Sequence, residues 1–162
     1  MKYVLILISF LFIANKSIGQ NIEPSNPGWL TNLNDAYAES KKTGKPILAN
    51  FTGSDWCGWC KKLTATVFSQ PDFAAWASKS VVLLEFDYPR GKDLPQYIRV
   101  QNEHMKNAMG VSGYPSVFLL DLKMNEAAKT YDVINYGRTG YKATVLEFTG
   151  EVEKMLAAKA NR

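Results

Sequence analysis

Short apolar stretches separated by amphipathic ones give this chain its rhythm. Ile47-Leu48-Ala49-Asn50-Phe51 and Val81-Val82-Leu83-Leu84-Glu85-Phe86-Asp87 are too brief for helices and are bounded by turn residues. They predict buried strands over 46–52 and 81–87. Val117 to Leu120 predicts a third buried strand, and the partly alternating run Lys129 to Tyr136 a fourth, close enough to pair with it antiparallel. Between these runs the period changes to that of helices. Leu33, Ala36, Tyr37 and Ala38, with Lys41-Lys42 late and Gly44-Lys45-Pro46 as a stop, predict a helix over 31–43. Gly53-Ser54-Asp55 leads into a second over 57–68, and Ser69-Gln70-Pro71-Asp72 opens a third that buries Phe73, Ala74, Trp76 and Ala77. A fourth, capped by Asp93 and ending near Gly110, keeps Leu94, Tyr97, Ile98, Met105 and Ala108 on one face. The last, over 142–158, repeats Val145, Phe148, Val152 and Met155. Helices alternating with strands predict an α/β fold, a central mixed sheet of four to five strands flanked by helices.

A length of 162 residues fits one domain, and 46% hydrophobic with 21% charged residues excludes a disordered or fibrous chain. The N-terminus stands apart. Lys2 precedes an apolar run from Tyr3 to Ala14, and Ser17-Ile18-Gly19 supplies small residues where a signal peptidase cuts. The run falls short of the roughly 18–20 residues that span a bilayer. Residues 1–19 therefore read as a cleaved signal peptide, with an uncleaved membrane anchor as the lesser alternative. Residues 20–30, with Pro24 and Pro27, read as an extended leader, and 31–160 as the folded domain. Cleavage removes Lys2 and Lys16 and no acid, lowering the formal charge from +4 to +2. No basic stripe interleaved with aromatics remains, which argues against nucleic acid as a partner. The expected location is outside the cytoplasm, periplasmic if the source is bacterial.

Two cysteines and one histidine leave little room for other chemistries. They exclude a multi-disulfide scaffold, a four-thiolate zinc site and most triads. The sharp signal is Trp56-Cys57-Gly58-Trp59-Cys60-Lys61. Residues three apart in a first helical turn share a side, within the roughly 4.4–6.8 Å Cα separation a disulfide needs. Unpaired N–H groups at the helix start favour a thiolate at Cys57 over one a turn deeper. Cys57 is thus the candidate nucleophile and Cys60 the candidate resolving thiol. A permanent crosslink is the bland alternative, though so small a loop is a poor staple. Haem attachment would need histidine where Lys61 stands, and His104 alone cannot complete a zinc site. No metal and no cofactor is called for.

The order Pro46-Ile47-Leu48-Ala49-Asn50-Phe51, then Gly53-Ser54-Asp55-Trp56-Cys57-Gly58-Trp59-Cys60-Lys61-Lys62-Leu63, then Gly110-Val111-Ser112-Gly113-Tyr114-Pro115-Ser116 resembles the thioredoxin superfamily, in particular its exported bacterial thioredoxin-like proteins. The resemblance runs from Trp29 to Leu156. It implies a thioredoxin-like fold in which Pro115 is cis and faces the cysteines, with the Tyr114 backbone offered to a substrate strand. An ordinary turn is the other reading of Tyr114-Pro115. Trp56 and Trp59 are candidates for an apolar substrate rim, Trp56 partly structural and Trp59 exposed. Two departures stand out. Thioredoxins carry a buried aspartate before the cysteine loop, and its nearest counterpart here is Asn50, which cannot ionise; the lysine paired with it gives way to an apolar residue near Leu83. Glu85 could serve as proton acceptor if it faces inward, a solvated strand carboxylate being the expected state. The sheet also lacks a clear strand before the first helix. Residues 90–109 look long and suited to partner recognition. His104, Lys61 and Lys62 read as solvated helix residues, and Met105 and Met109 as core.

The expectation is an exported thiol-disulfide oxidoreductase using Cys57 and Cys60, reducing rather than forming disulfides. It would act as a monomer on disulfide-bearing exported proteins, recharged by a membrane electron donor. The competing reading is a non-catalytic partner-binding module with an inert disulfide.

Overall fold

Four strands and five helices follow from those patterns in a computed structural model that describes residues 22–161. The proposed signal peptide lies outside the described residues. Helix α1 (Leu33–Thr43) leads to β1 (Ile47–Thr52), and α2 (Gly58–Leu63) continues as a π-helical turn, Thr64–Phe68. Then come α3 (Pro71–Ser80), β2 (Val82–Asp87), α4 (Gln96–Ala108), β3 (Ser116–Asn125), β4 (Thr130–Thr139) and α5 (Val145–Ala160). Helix α1 starts where Asn32 caps the Asn34 N–H and stops at Gly44, whose φ of 72° is the left-handed conformation glycine adopts without penalty. The strands lie in the order β2-β1-β3-β4; β1 and β2 are parallel, and the other neighbours antiparallel. Leu30 adds one isolated bridge to Leu84, so the expected shortage of a strand before α1 is real among the described residues.

Alternation along the strands sorts side chains into two layers. Ile47, Ala49, Phe51, Val82, Leu84, Phe86, Phe118 and Leu120 meet Ala36 of α1 and Met105 of α4. Leu48, Val117 and Leu119 face the other way, against Leu63, Val67, Phe73, Ala77, Phe148, Val152 and Met155 of the remaining helices. Burying a side chain such as Phe148 contributes about 2–3 kcal/mol, so both layers are needed to hold the sheet.

Two elements differ from expectation. Helix α4 begins at Gln96 rather than after Asp93, because Pro95 (φ −52°, ψ 145°) disfavours helical geometry in Leu94 before it. Strand β3 runs on to Asn125, past the predicted Leu120. Leu120 is its last residue paired to β1, and beyond it only β4 is a neighbour, so burial there is one-sided and the sequence turns polar.

Candidate active site

Strand directions assemble the site. Because β1 and β2 are parallel, the loops that leave them, residues 53–57 and 88–91, emerge at the same edge of the sheet. Strand β3 is antiparallel to β1 and pairs Ser116 with Phe51, which brings residues 113–115 to that edge as well. Three segments remote in sequence therefore meet where α2 begins.

Cys57 and Cys60 form a disulfide with Cα atoms 5.2 Å apart. Cys57 is not in the first turn of α2 but is its N-cap: its Sγ accepts the Cys60 N–H at 3.2 Å, while its own N–H donates to the Gly53 carbonyl at 2.8 Å. The Cys57 sulfur thus sits where a helix-start N–H is aimed, the environment that favours an anion. Both cysteines are largely buried. The Tyr114-Pro115 peptide bond is cis.

Aromatic rings flank the pair on two sides. Trp56 packs edge-on to Tyr114 with centroids 5.7 Å apart, and Tyr88 lies 5.2 Å from Tyr114. The Trp56 Nε1–H donates to the Tyr88 carbonyl at 2.8 Å, which makes this tryptophan partly structural. Trp59 is 57% exposed and leans on Tyr141 at 4.9 Å. Burial pushes the Tyr88 hydroxyl, which donates to the Asn102 carbonyl at 2.6 Å, well above the usual tyrosine range. Asp55 does not cap α2. Its carboxylate accepts the Arg90 and Gly91 N–H groups, clasping loop 88–91 to loop 53–56. The Gly91 N–H is the main cause that holds the Asp55 carboxyl below its ordinary value, partial desolvation acting the other way.

Gly53 lies directly under the Trp56 indole, where a methyl group would run into the ring. Gly53→Ala is therefore expected to displace Trp56, break its bond to Tyr88 and cost about 1–3 kcal/mol. Thermal unfolding and a red-shifted tryptophan emission would show it; an unchanged spectrum would mean that the ring is loosely held.

Glu85 corrects an expectation. It is 1% exposed, not a solvated strand carboxylate. With Val82, Leu84 and Phe86 facing α1 and α4, Glu85 points to the side of the cysteine helix, beside Asn50 in the parallel register. The chain before α1 covers it. Ser25 donates through its N–H and its Oγ, both at 2.7 Å, and Asn26 through Nδ2 at 2.5 Å. Asn26 Oδ1 accepts in turn from Thr64 Oγ1 at 2.9 Å, at the junction of α2 with the π turn. Asn50 is buried, and among the described residues its Oδ1 has no hydrogen-bond partner.

Sequence reasoning missed Ser25, Asn26, Thr64, Tyr88, Arg90 and Tyr141. A usable signal existed for two of them: parallel neighbours place the loops after β1 and β2 together, so Tyr88 and Arg90 follow from topology. His104 is exposed, while Met105 is buried and Met109 packs against the same layer. Among the described residues no cluster of three or more His, Cys, Asp or Glu could hold a metal, and no helix is long and apolar enough to cross a membrane.

Comparison with known proteins agrees with this geometry. The family model described as thioredoxin-like matches residues 28–121. Disulfide bond reductase DsbH of Chlamydia pneumoniae is 31% identical over 119 residues, covering 70% of this chain and 72% of that protein. The thioredoxin-related protein DsbJ of the same organism is 26% identical over 137 residues, which span 85% of this chain but only 38% of DsbJ. A solved structure of a DsbH oxidoreductase superposes with a TM-score of 0.66 at 26% identity, covering 86% of this chain and 94% of that one. A mixed four-stranded sheet between helices, a Cys57–Cys60 disulfide at the head of α2 and these relatives lead to one conclusion: the chain belongs to the thioredoxin-like family, among its thiol-disulfide oxidoreductases.

Proposed function

We propose that this protein is exported and reduces disulfides in exported proteins. The Cys57 thiolate attacks one sulfur of a substrate disulfide, forming a mixed disulfide and releasing the other substrate sulfur as a thiolate, which takes up a proton. Cys60, deprotonated, then attacks the Cys57 sulfur, freeing the second substrate thiol and leaving the Cys57–Cys60 disulfide. Two electrons pass from the dithiol to the substrate. A membrane-bound dithiol donor restores the reduced form. The observation that carries the reading is the Cys60 N–H held on the Cys57 sulfur at the start of α2, which supports a stabilised thiolate at the attacking position. The reducing direction is supported by the reductase name of the Chlamydia relative.

In this reading residues 1–19 are the export signal, 20–30 the leader and 31–160 the catalytic domain, acting as a monomer. Trp56, Trp59, Tyr114 and Pro115 line the substrate site, with the Tyr114 backbone pairing to an extended substrate segment. Glu85 is the candidate proton acceptor for Cys60, joined to the cysteine helix through Asn26 and Thr64.

The reduction potential of the pair tests the proposal. A reductase is expected near the thioredoxin value of about −270 mV, measured by equilibration with dithiothreitol buffers. A value near the roughly −120 mV of a strong oxidant would reverse the direction. A pair that stays oxidised and unreactive at strongly reducing potential would instead favour the inert-disulfide binding module.

A further inference from the structure

Each tryptophan beside the cysteines carries a cation on its ring. The Arg90 guanidinium lies 3.9 Å from the Trp56 ring centroid. The Lys62 ammonium lies 5.2 Å from that of Trp59 and 5.3 Å from that of Tyr141. These positions come from different parts of the chain: Lys62 from α2, Arg90 from the loop after β2. Both rings adjoin the disulfide along the chain, since Trp56 directly precedes Cys57 and Trp59 directly precedes Cys60.

Two other cations of this region are spent on carboxylates. Lys92 pairs with the buried Asp87 at 3.0 Å, and Lys106 with Glu103 at 3.7 Å. Among the described residues no carboxylate lies in ion-pair range of Lys62 or Arg90. Lys61 is held by the Asp55 backbone carbonyl at 2.7 Å and, among the described residues, has no carboxylate in ion-pair range either. Asp55 is the opposing carboxylate on this rim; its oxygens accept the N–H groups of Arg90 and Gly91, which keep it anionic, and it offsets part of this positive charge. Cation–π contact orients a cation without neutralising it. The result is exposed aromatic surface next to the disulfide, with positive charge held on each ring and the cations outnumbering the Asp55 carboxylate.

We propose that this face selects disulfide-bearing polypeptides whose segments next to the reactive cysteine carry carboxylates. The proposal rests on the redox reading above and names its substrate class. Apolar contact with Trp56 and Trp59 would be shared by many chains. The carboxylates would add discrimination, since like charges facing Arg90 and Lys62 are disfavoured and opposite ones steer the encounter.

Two synthetic disulfide peptides test it, identical except for glutamates or lysines flanking the cystine. The full chain, reduced beforehand with dithiothreitol and freed of it, is mixed with each in a single turnover. Every rate is divided by that peptide's own rate with dithiothreitol, which removes the effect of the flanks on the substrate thiol. Uncharged 2-hydroxyethyl disulfide is run alongside. The glutamate peptide is expected to react about three- to tenfold faster than the lysine peptide at low salt, as two exposed charge contacts allow. The gap should close at about 0.5 M sodium chloride. In a chain that also carries Lys61→Gln, Lys62→Gln combined with Arg90→Gln should abolish the preference and each single change reduce it, with folding checked by circular dichroism, whereas Lys123→Gln on β3 should keep it. Equal rates for the two peptides, or a preference that survives the double change, overturn the proposal while turnover of 2-hydroxyethyl disulfide leaves the redox reading standing. If none of the three disulfides is reduced, the redox reading fails and the proposal with it.

Discussion

Cys57→Ser is expected to abolish disulfide reduction, a loss of at least about 10³-fold, while Cys60→Ser stops the reaction halfway with substrate attached. The difference follows from position. Cys57 is the N-cap of α2 and receives a backbone N–H on its sulfur, so it is poised to attack as an anion. A serine hydroxyl there is not ionised at neutral pH and cannot break a disulfide. Cys60 lies in the first turn and is bonded to the Cys57 sulfur, the position from which it resolves a mixed disulfide. Without it the mixed disulfide persists. Non-reducing electrophoresis of Cys60→Ser incubated with disulfide-bearing proteins should show adducts that vanish with dithiothreitol. Their absence, together with residual turnover in Cys57→Ser, would remove the catalytic assignment of both residues.

The second large effect is on stability. Glu85→Ala is expected to cost about 2–4 kcal/mol, because it empties a fully buried position, leaves the buried Asn26 amide without its acceptor and releases both donors of the exposed Ser25. Glu85→Gln keeps one acceptor oxygen but turns an amide N–H₂ towards the same donors, for an expected loss of about 1–3 kcal/mol. Urea unfolding with a fixed m-value would measure both. A loss below about 1 kcal/mol in the alanine variant would mean that the leader does not depend on this carboxylate. The glutamine variant has a second use. If its pH profile of thiol release from Cys60 matched that of the unaltered chain, Glu85 would have no part in proton handling.

The same residue shows where sequence reading stops. Glu85 stands in an apolar run, and alternation gives it a face. Whether that face meets water depends on what lies over it. The cover comes from Ser25 and Asn26, about sixty residues earlier, in a stretch without hydrophobic periodicity to announce a fixed position. Pro95 is the opposite case: the late start of α4 could be read from the local rule that a residue before proline avoids helical geometry. Asp55 shows how a local rule misleads. It has the chemistry of an N-cap, but Cys57 takes that place and the carboxylate goes to a loop thirty-five residues away.

What the sequence determined by itself is everything that neighbours along the chain can settle. Period and turn residues set the two buried strands, the antiparallel pair and the helices that cover them. A spacing of three put two sulfurs on one side of a helix start. Only the tertiary structure decided what surrounds those sulfurs: the cations on Trp56 and Trp59, the clasp from Asp55, and the buried link from Glu85 through Asn26 to Thr64. The reason is range. Backbone propensity and side-chain period act within a few residues, whereas a hydrogen bond or a stacked ring joins whichever segments the folded sheet brings within about 3–6 Å.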